Sequence, residues 1–167
     1  MTNEVFGKPV TGDIRSSRDN RVEQLDPAEF IKGLDKLFED PRVEAVRWSQ
    51  YTPYFNDGEA CEFSVNEYSI GIKFFGLDEN DSTYRNDGFF TEDDVYSYPD
   101  GFKASLPDHG RVYKTEINGV DISGIDDLLG IVPINGYHED FLRESFGDHA
   151  EVTATREGFH VEYYEHD

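Results

Sequence analysis

Between positions 78 and 94 the chain places seven carboxylates: Asp78, Glu79, Asp81, Asp87, Glu92, Asp93 and Asp94. Carboxylates so closely spaced can hold a hard divalent cation or face a basic partner. Asp78, Asn80 and Ser82 alternate as in the first half of a calcium loop, but Thr83 stands where the sharp turn requires glycine and no Glu closes the loop. That leaves weak, non-specific calcium or magnesium binding, and a metal-assisted hydrolase or nuclease as an alternative use of the same loop. Adjacent acids such as Asp93 and Asp94, or Asp126 and Asp127, would do acid–base work only if burial raised one pKa. Among 36 Asp and Glu such pairs arise by chance.

Other reactive side chains form no recognisable constellation. His109, His138, His149, His160 and His166 are scattered, and there is no Gly-x-Ser-x-Gly elbow, phosphate loop or dinucleotide fingerprint. On a strand His160 and Glu162 share a face, with His149 and His166 nearby, yet the spacing lacks the tight pattern of zinc sites. Cys61, the single cysteine, lies between Glu59 and Glu62 rather than in the electropositive setting of a reactive thiol. It excludes an internal disulfide and fits a reducing compartment. No catalytic residue, cofactor or tightly held metal is expected.

Aromatic residues recur beside the acids. Tyr51, Tyr54 and Phe55 precede Asp57; Tyr84, Phe89 and Phe90 precede Glu92, Asp93 and Asp94; Tyr96 and Tyr98 follow. A protein that binds nucleic acid directly interleaves its aromatics with Lys and Arg. Here the sign is inverted: 36 acids against 15 bases leave a net charge of -21. Carboxylates on a folded surface can imitate the phosphates of DNA and draw in proteins with basic grooves. The expectation is therefore a non-enzymatic protein that engages a basic DNA- or RNA-binding partner through Asp78, Glu79, Asp81, Asp87, Glu92, Asp93, Asp94, Tyr96 and Tyr98. The alternative is a structural or assembly accessory whose acidity is an adaptation to salt, where screening removes the repulsion.

Elements must position these groups, and 167 residues suffice for one domain with a real core. Residues 1–24 hold four acids and four bases and no hydrophobic period, so they read as a flexible arm, with a single domain over 25–167. After Asp26 as N-cap and Pro27, the residues Phe30, Ile31, Leu34, Leu37 and Phe38 make one apolar helical stripe that Pro41 stops. Over 43–75 the pattern is that of strands, with Asn56-Asp57-Gly58 as a hairpin turn. The apolar parity of Phe63 and Val65 differs from that of Tyr68, Ile70, Ile72 and Phe74, which requires a bulge or second turn near Asn66 and Glu67.

Residues 76–110, with nine acids against two bases, read as a long acidic loop region. A strand over 112–117 leads to an Asn118-Gly119 turn, and Asp126 to Leu129 make at most a short helix. A second main helix spans 135–146 with Gly147 as its stop, and a terminal hairpin turns through Arg156, Glu157 and Gly158. The fold class is α+β: a mainly antiparallel sheet with two helices on one face. No apolar run reaches membrane-spanning length, and the N-terminus lacks signal-peptide order, so a cytoplasmic protein is expected.

The runs WSQYTPYFNDGE at 48–59 and FGDHAEVTATREGF at 146–159 resemble a group of uncharacterised small acidic proteins from tailed phages and bacteria. The resemblance implies a phage setting, with the host cytoplasm as location, and supplies no site residues. A small phage protein of this charge would act as a DNA mimic or an inhibitor of host defence or transcription.

Overall fold

In the computed structural model, residues 4–6, 8–9, 11, 22–54, 58, 61–78, 81 and 86–165 are described. Arg15, Arg18, Arg21, Asn56, Asp57, Glu79, Asn80, Ser82, Thr83, Tyr84 and His166 lie outside them.

Near the N-terminus β1 (Glu4–Val5) pairs antiparallel with β2 (Lys8–Pro9). The helix α1 (Pro27–Phe38) follows, started by the Asp26 carboxylate, which accepts a hydrogen bond from the Ala28 N–H at 2.8 Å, and by Pro27 in its first turn. Its buried stripe is Phe30, Leu34 and Leu37. Ile31, expected in that stripe, is exposed because one position further round the helix faces water.

Four antiparallel strands form the central sheet: β3 (Val43–Tyr51), β4 (Ser64–Phe74), β9 (Ala150–Thr155) and β10 (Gly158–Tyr163), in the spatial order β10-β9-β3-β4. The expected β3–β4 pairing is present, with Tyr51↔Ser64 as its last described rung, and the turn expected at Asn56-Asp57-Gly58 involves residues outside the described ones. The parity change read near Asn66 and Glu67 is a break in register: Arg47 pairs with Gly71, whereas Ser49 pairs with Asn66. There the Ser49 N–H and hydroxyl both donate to Ser69 Oγ, whose own hydrogen goes to the Asn66 carbonyl, so a serine replaces the missing ladder bonds.

The described part of the long acidic 76–110 region is tied to the rest of the fold. It contains β5 (Tyr96–Ser97), paired with β6 (Val112–Tyr113), and Phe90 bridges to Ile72 of β4 through N–H···O bonds of 2.9 and 3.0 Å. The expected strand over 112–117 is split: β6 is followed by β7 (Glu116–Ile117), which turns through Asn118 and Gly119 to β8 (Val120–Asp121). Both turn residues have positive φ, +48° and +81°, the backbone that a two-residue hairpin needs and that Asn-Gly supplies.

The seven-residue α2 (Ile125–Ile131) precedes α3 (Glu139–Phe146). The rings of Phe30 on α1 and Phe146 on α3 both meet Trp48 edge-on, at 6.3 and 5.7 Å, which puts these two helices on the same face of the sheet. Trp48, Phe30 and Phe74 are the largest fully buried side chains of the core, and Val and Ala from β3, β4 and β9 fill the space around them. Among the described residues no helix is long and apolar enough to cross a membrane.

Candidate functional site

The carboxylates singled out by sequence divide into those that build local structure and those that face outward. Asp94 accepts hydrogen bonds from the Thr91 N–H and hydroxyl at 2.9 and 3.1 Å, closing the turn that starts the Glu92–Asp94 segment. Asp87 pairs with Arg47 at 3.1 Å, and Asp81 accepts from the Asn118 amide at 3.3 Å. Asp78 is exposed, and Glu79 lies outside the described residues. Among the described ones, Glu92, Asp93, Tyr96 and Tyr98 are brought onto one surface.

That surface is a row of rings carried by 92–113. Tyr113 meets Tyr96 at 6.4 Å across the β5–β6 ladder; Tyr96 meets Tyr98 at 5.6 Å, Tyr98 meets Phe102 at 5.7 Å, and Phe102 meets His109 at 4.8 Å. Phe102 is 62% exposed. Arg111 lies over two of the rings, 4.9 Å from Tyr96 and 5.1 Å from Tyr113, while it donates to Glu92 at 2.9 Å. Partial burial, with the Asp93 carboxylate adding to it, holds the Tyr96 phenol above its ordinary pKa, and its hydroxyl donates to Asp93 at 3.3 Å. The row therefore offers what a guanidinium prefers, an aromatic face beside a carboxylate, and Arg111 uses it.

Phe89 and Phe90, grouped by sequence with the surface aromatics, are buried instead. Phe90 packs against Phe74 through its bridge to β4, and Phe89 covers Gly71 beneath the Arg47 guanidinium, which stands 4.3 Å above its ring. Beside them the broken β3–β4 register opens a cavity of about 330 Å³, bounded by Arg47, Ser49, Tyr68, Ser69, Glu151 and Tyr164 among others. Arg47 is held there by Asp87, the Asn86 carbonyl and Glu151.

Sequence reading did not bring Phe102, His109, Arg111 and Tyr113 together, because Tyr113 arrives through a two-rung pairing and Phe102 and His109 through a turn closed by the Lys103 N–H on the His109 carbonyl, and neither leaves a hydrophobic period. It also missed Arg156, which donates to the carbonyls of Val43, Phe38 and Asp40 and so ties the β9–β10 turn to the end of α1.

Among the described residues from 22 to 165 no carboxylate is buried. The displaced ones all titrate low: the Arg42 guanidinium holds Asp40 below the carboxylate range, Ser123 does so for Asp121, and at Asp148 the Thr52 and His149 contacts outweigh burial. Among the described residues no group of three His, Cys, Asp or Glu converges as metal ligands would. His160 and Glu162 approach to 3.4 Å on β10, but His149 is elsewhere, stacked between Tyr54 and Tyr163. His138 is buried with its ring against Phe30, and burial pushes its pKa down.

No protein-family model matches the chain, and no curated protein or solved structure is similar to it.

Proposed function

We propose that this is a non-enzymatic binding protein whose acidic surface engages a basic nucleic-acid-binding protein and competes with nucleic acid for it, as a phage-type DNA mimic would. The observation that carries the reading is the net charge of -21 together with the half-buried or exposed position of every carboxylate described between residues 22 and 165. A charge of this size attracts and steers a basic protein from a distance, and the row from Tyr113 to His109 adds local specificity by accepting the partner's arginines on ring faces beside Glu92 and Asp93. Protonation chemistry has little support in the fold, since the displaced carboxyls move away from neutral pH rather than towards it.

The test is affinity capture at moderate salt followed by competition with duplex DNA on the captured protein. Replacing Asp93, which accepts from Tyr96, and Asp108, whose charge acts on Arg111, together by Asn removes charge from the row without touching the turn held by Asp94, and Asn accepts the positive φ of Asp108, +48°. The captured partner should then bind at least roughly tenfold more weakly, and its binding should fall steeply with salt. If nothing basic is retained, or if DNA and this protein bind the partner independently, the accessory reading takes its place.

A further inference from the structure

The two edges of the central sheet are treated differently. At β4 the Ile72–Phe90 bridge covers the edge, whereas among the described residues no strand lies on the outer side of β10. Its register with β9 is unbroken from Gly158↔Thr155 to Tyr163↔Ala150. Gly158 and Thr155 flank a two-residue turn and are therefore a hydrogen-bonded pair. The alternation of an antiparallel ladder then points the N–H and C=O of Phe159, Val161 and Tyr163 away from β9. The same three residues carry exposed apolar side chains, 44%, 43% and 71% accessible. No proline, lysine or bulge guards this edge.

We propose that β10 pairs antiparallel with β10 of a second copy, in the register that places Val161 opposite the partner's Val161. In that register the outward N–H and C=O groups of the two strands face one another. Phe159 lies opposite the partner's Tyr163, so apolar meets apolar on the helix side of the sheet. On the other face His160 lies opposite the partner's Glu162, and an imidazole N–H meets a carboxylate twice over. A shift of one rung either way sets His160 against the partner's His160 or Glu162 against the partner's Glu162, so among the two-fold registers the charge pattern selects the one centred on Val161. The pairing joins two four-stranded sheets into one and uses a surface separate from the ring row, so it holds or fails independently of the basic-partner reading.

Sedimentation equilibrium of the full chain in about 0.5 M salt, where repulsion between the two acidic copies is screened to a few ångströms, should give a monomer–dimer equilibrium. Val161→Pro removes only an outward N–H, so its circular dichroism and melting should match the parent while the dimer is lost. His160→Glu should raise the dimer Kd roughly tenfold, because two pairs turn repulsive, and the double variant H160E/E162H should restore it. A parent chain that stays monomeric at every concentration, including because its own N-terminal segment covers β10, overturns the proposal. So does a dimer indifferent to Val161→Pro, or a double variant no tighter than the single. If Val161→Pro lowers the melting point, the charge-swap set decides alone.

Discussion

Gln50 is fully buried, and each of its polar groups has a partner. Its amide nitrogen donates to the carbonyls of Leu142 and Gly147 at 2.9 and 2.7 Å, and its oxygen accepts from the Trp48 indole N–H at 3.0 Å. One side chain on β3 thus satisfies the end of α3 and the ring beside it. Replacing it by Leu, of similar size, would take this partner from the indole N–H and the Leu142 carbonyl inside the core, at about 1–3 kcal/mol for each group left unsatisfied, while the Gly147 carbonyl at the exposed end of α3 can turn to water. Gln50→Leu should therefore lower unfolding stability by about 2 kcal/mol or more; a denaturation midpoint within error of the parent would show that water or repacking replaces these bonds. Parity with Val46 and Trp48 puts Gln50 on the core face of β3, but nothing in the run Trp48-Ser49-Gln50 announces which groups it satisfies there, because its partners on α3 are more than ninety positions away. The same limit hid the division among the acids. Asp87, Glu92 and Asp94 look alike in sequence, but two of them neutralise arginines and one closes a turn.

At the scale of elements, legibility followed the length of the periodic signal. The twelve residues of α1 carry a stripe and a cap, and the terminal hairpin has its strands and turn in register, so both could be read directly. The break in β4 was visible as a parity flip, though the serine that fills it was not. The 76–110 region was read as a long acidic loop because its buried apolar residues among those described, Phe89, Phe90 and Val95, are too few and too interspersed with acids to make a period. What docks it on the sheet is a close approach: a Cβ on Gly71 would stand 2.8 Å from Phe89 Cβ. Gly71→Ala should force Phe89 and its segment off the sheet, lowering stability by about 1–3 kcal/mol. Hydrogen exchange should locate the damage, with the amides of Ile72 and Phe90 exchanging much faster than those of β9. Equal protection throughout would mean that the segment is not held at this point.

For the molecule as a whole, the charge acts on folding and on binding with opposite signs. A net -21 carried on accessible carboxylates repels itself in the folded state more than in the expanded chain, so screening should stabilise the fold. The Debye length falls from about 14 Å at 0.05 M salt to about 4 Å at 0.5 M, which spans the spacing between neighbouring surface charges. Relief of about 1–2 kcal/mol would raise the melting temperature by about 5 °C for a chain of this length. Attraction to a basic partner should weaken over the same interval, whereas association of two like-charged copies should strengthen. Melting curves at the two salt concentrations therefore bear on the choice between mimicry and adaptation to salt. A protein folded at 0.05 M with a modest rise towards 0.5 M keeps its acidity available to a partner under dilute conditions, as the mimic requires. A chain unfolded at 0.05 M that folds cooperatively only as salt is added would tie its charge to a saline environment and favour the accessory role.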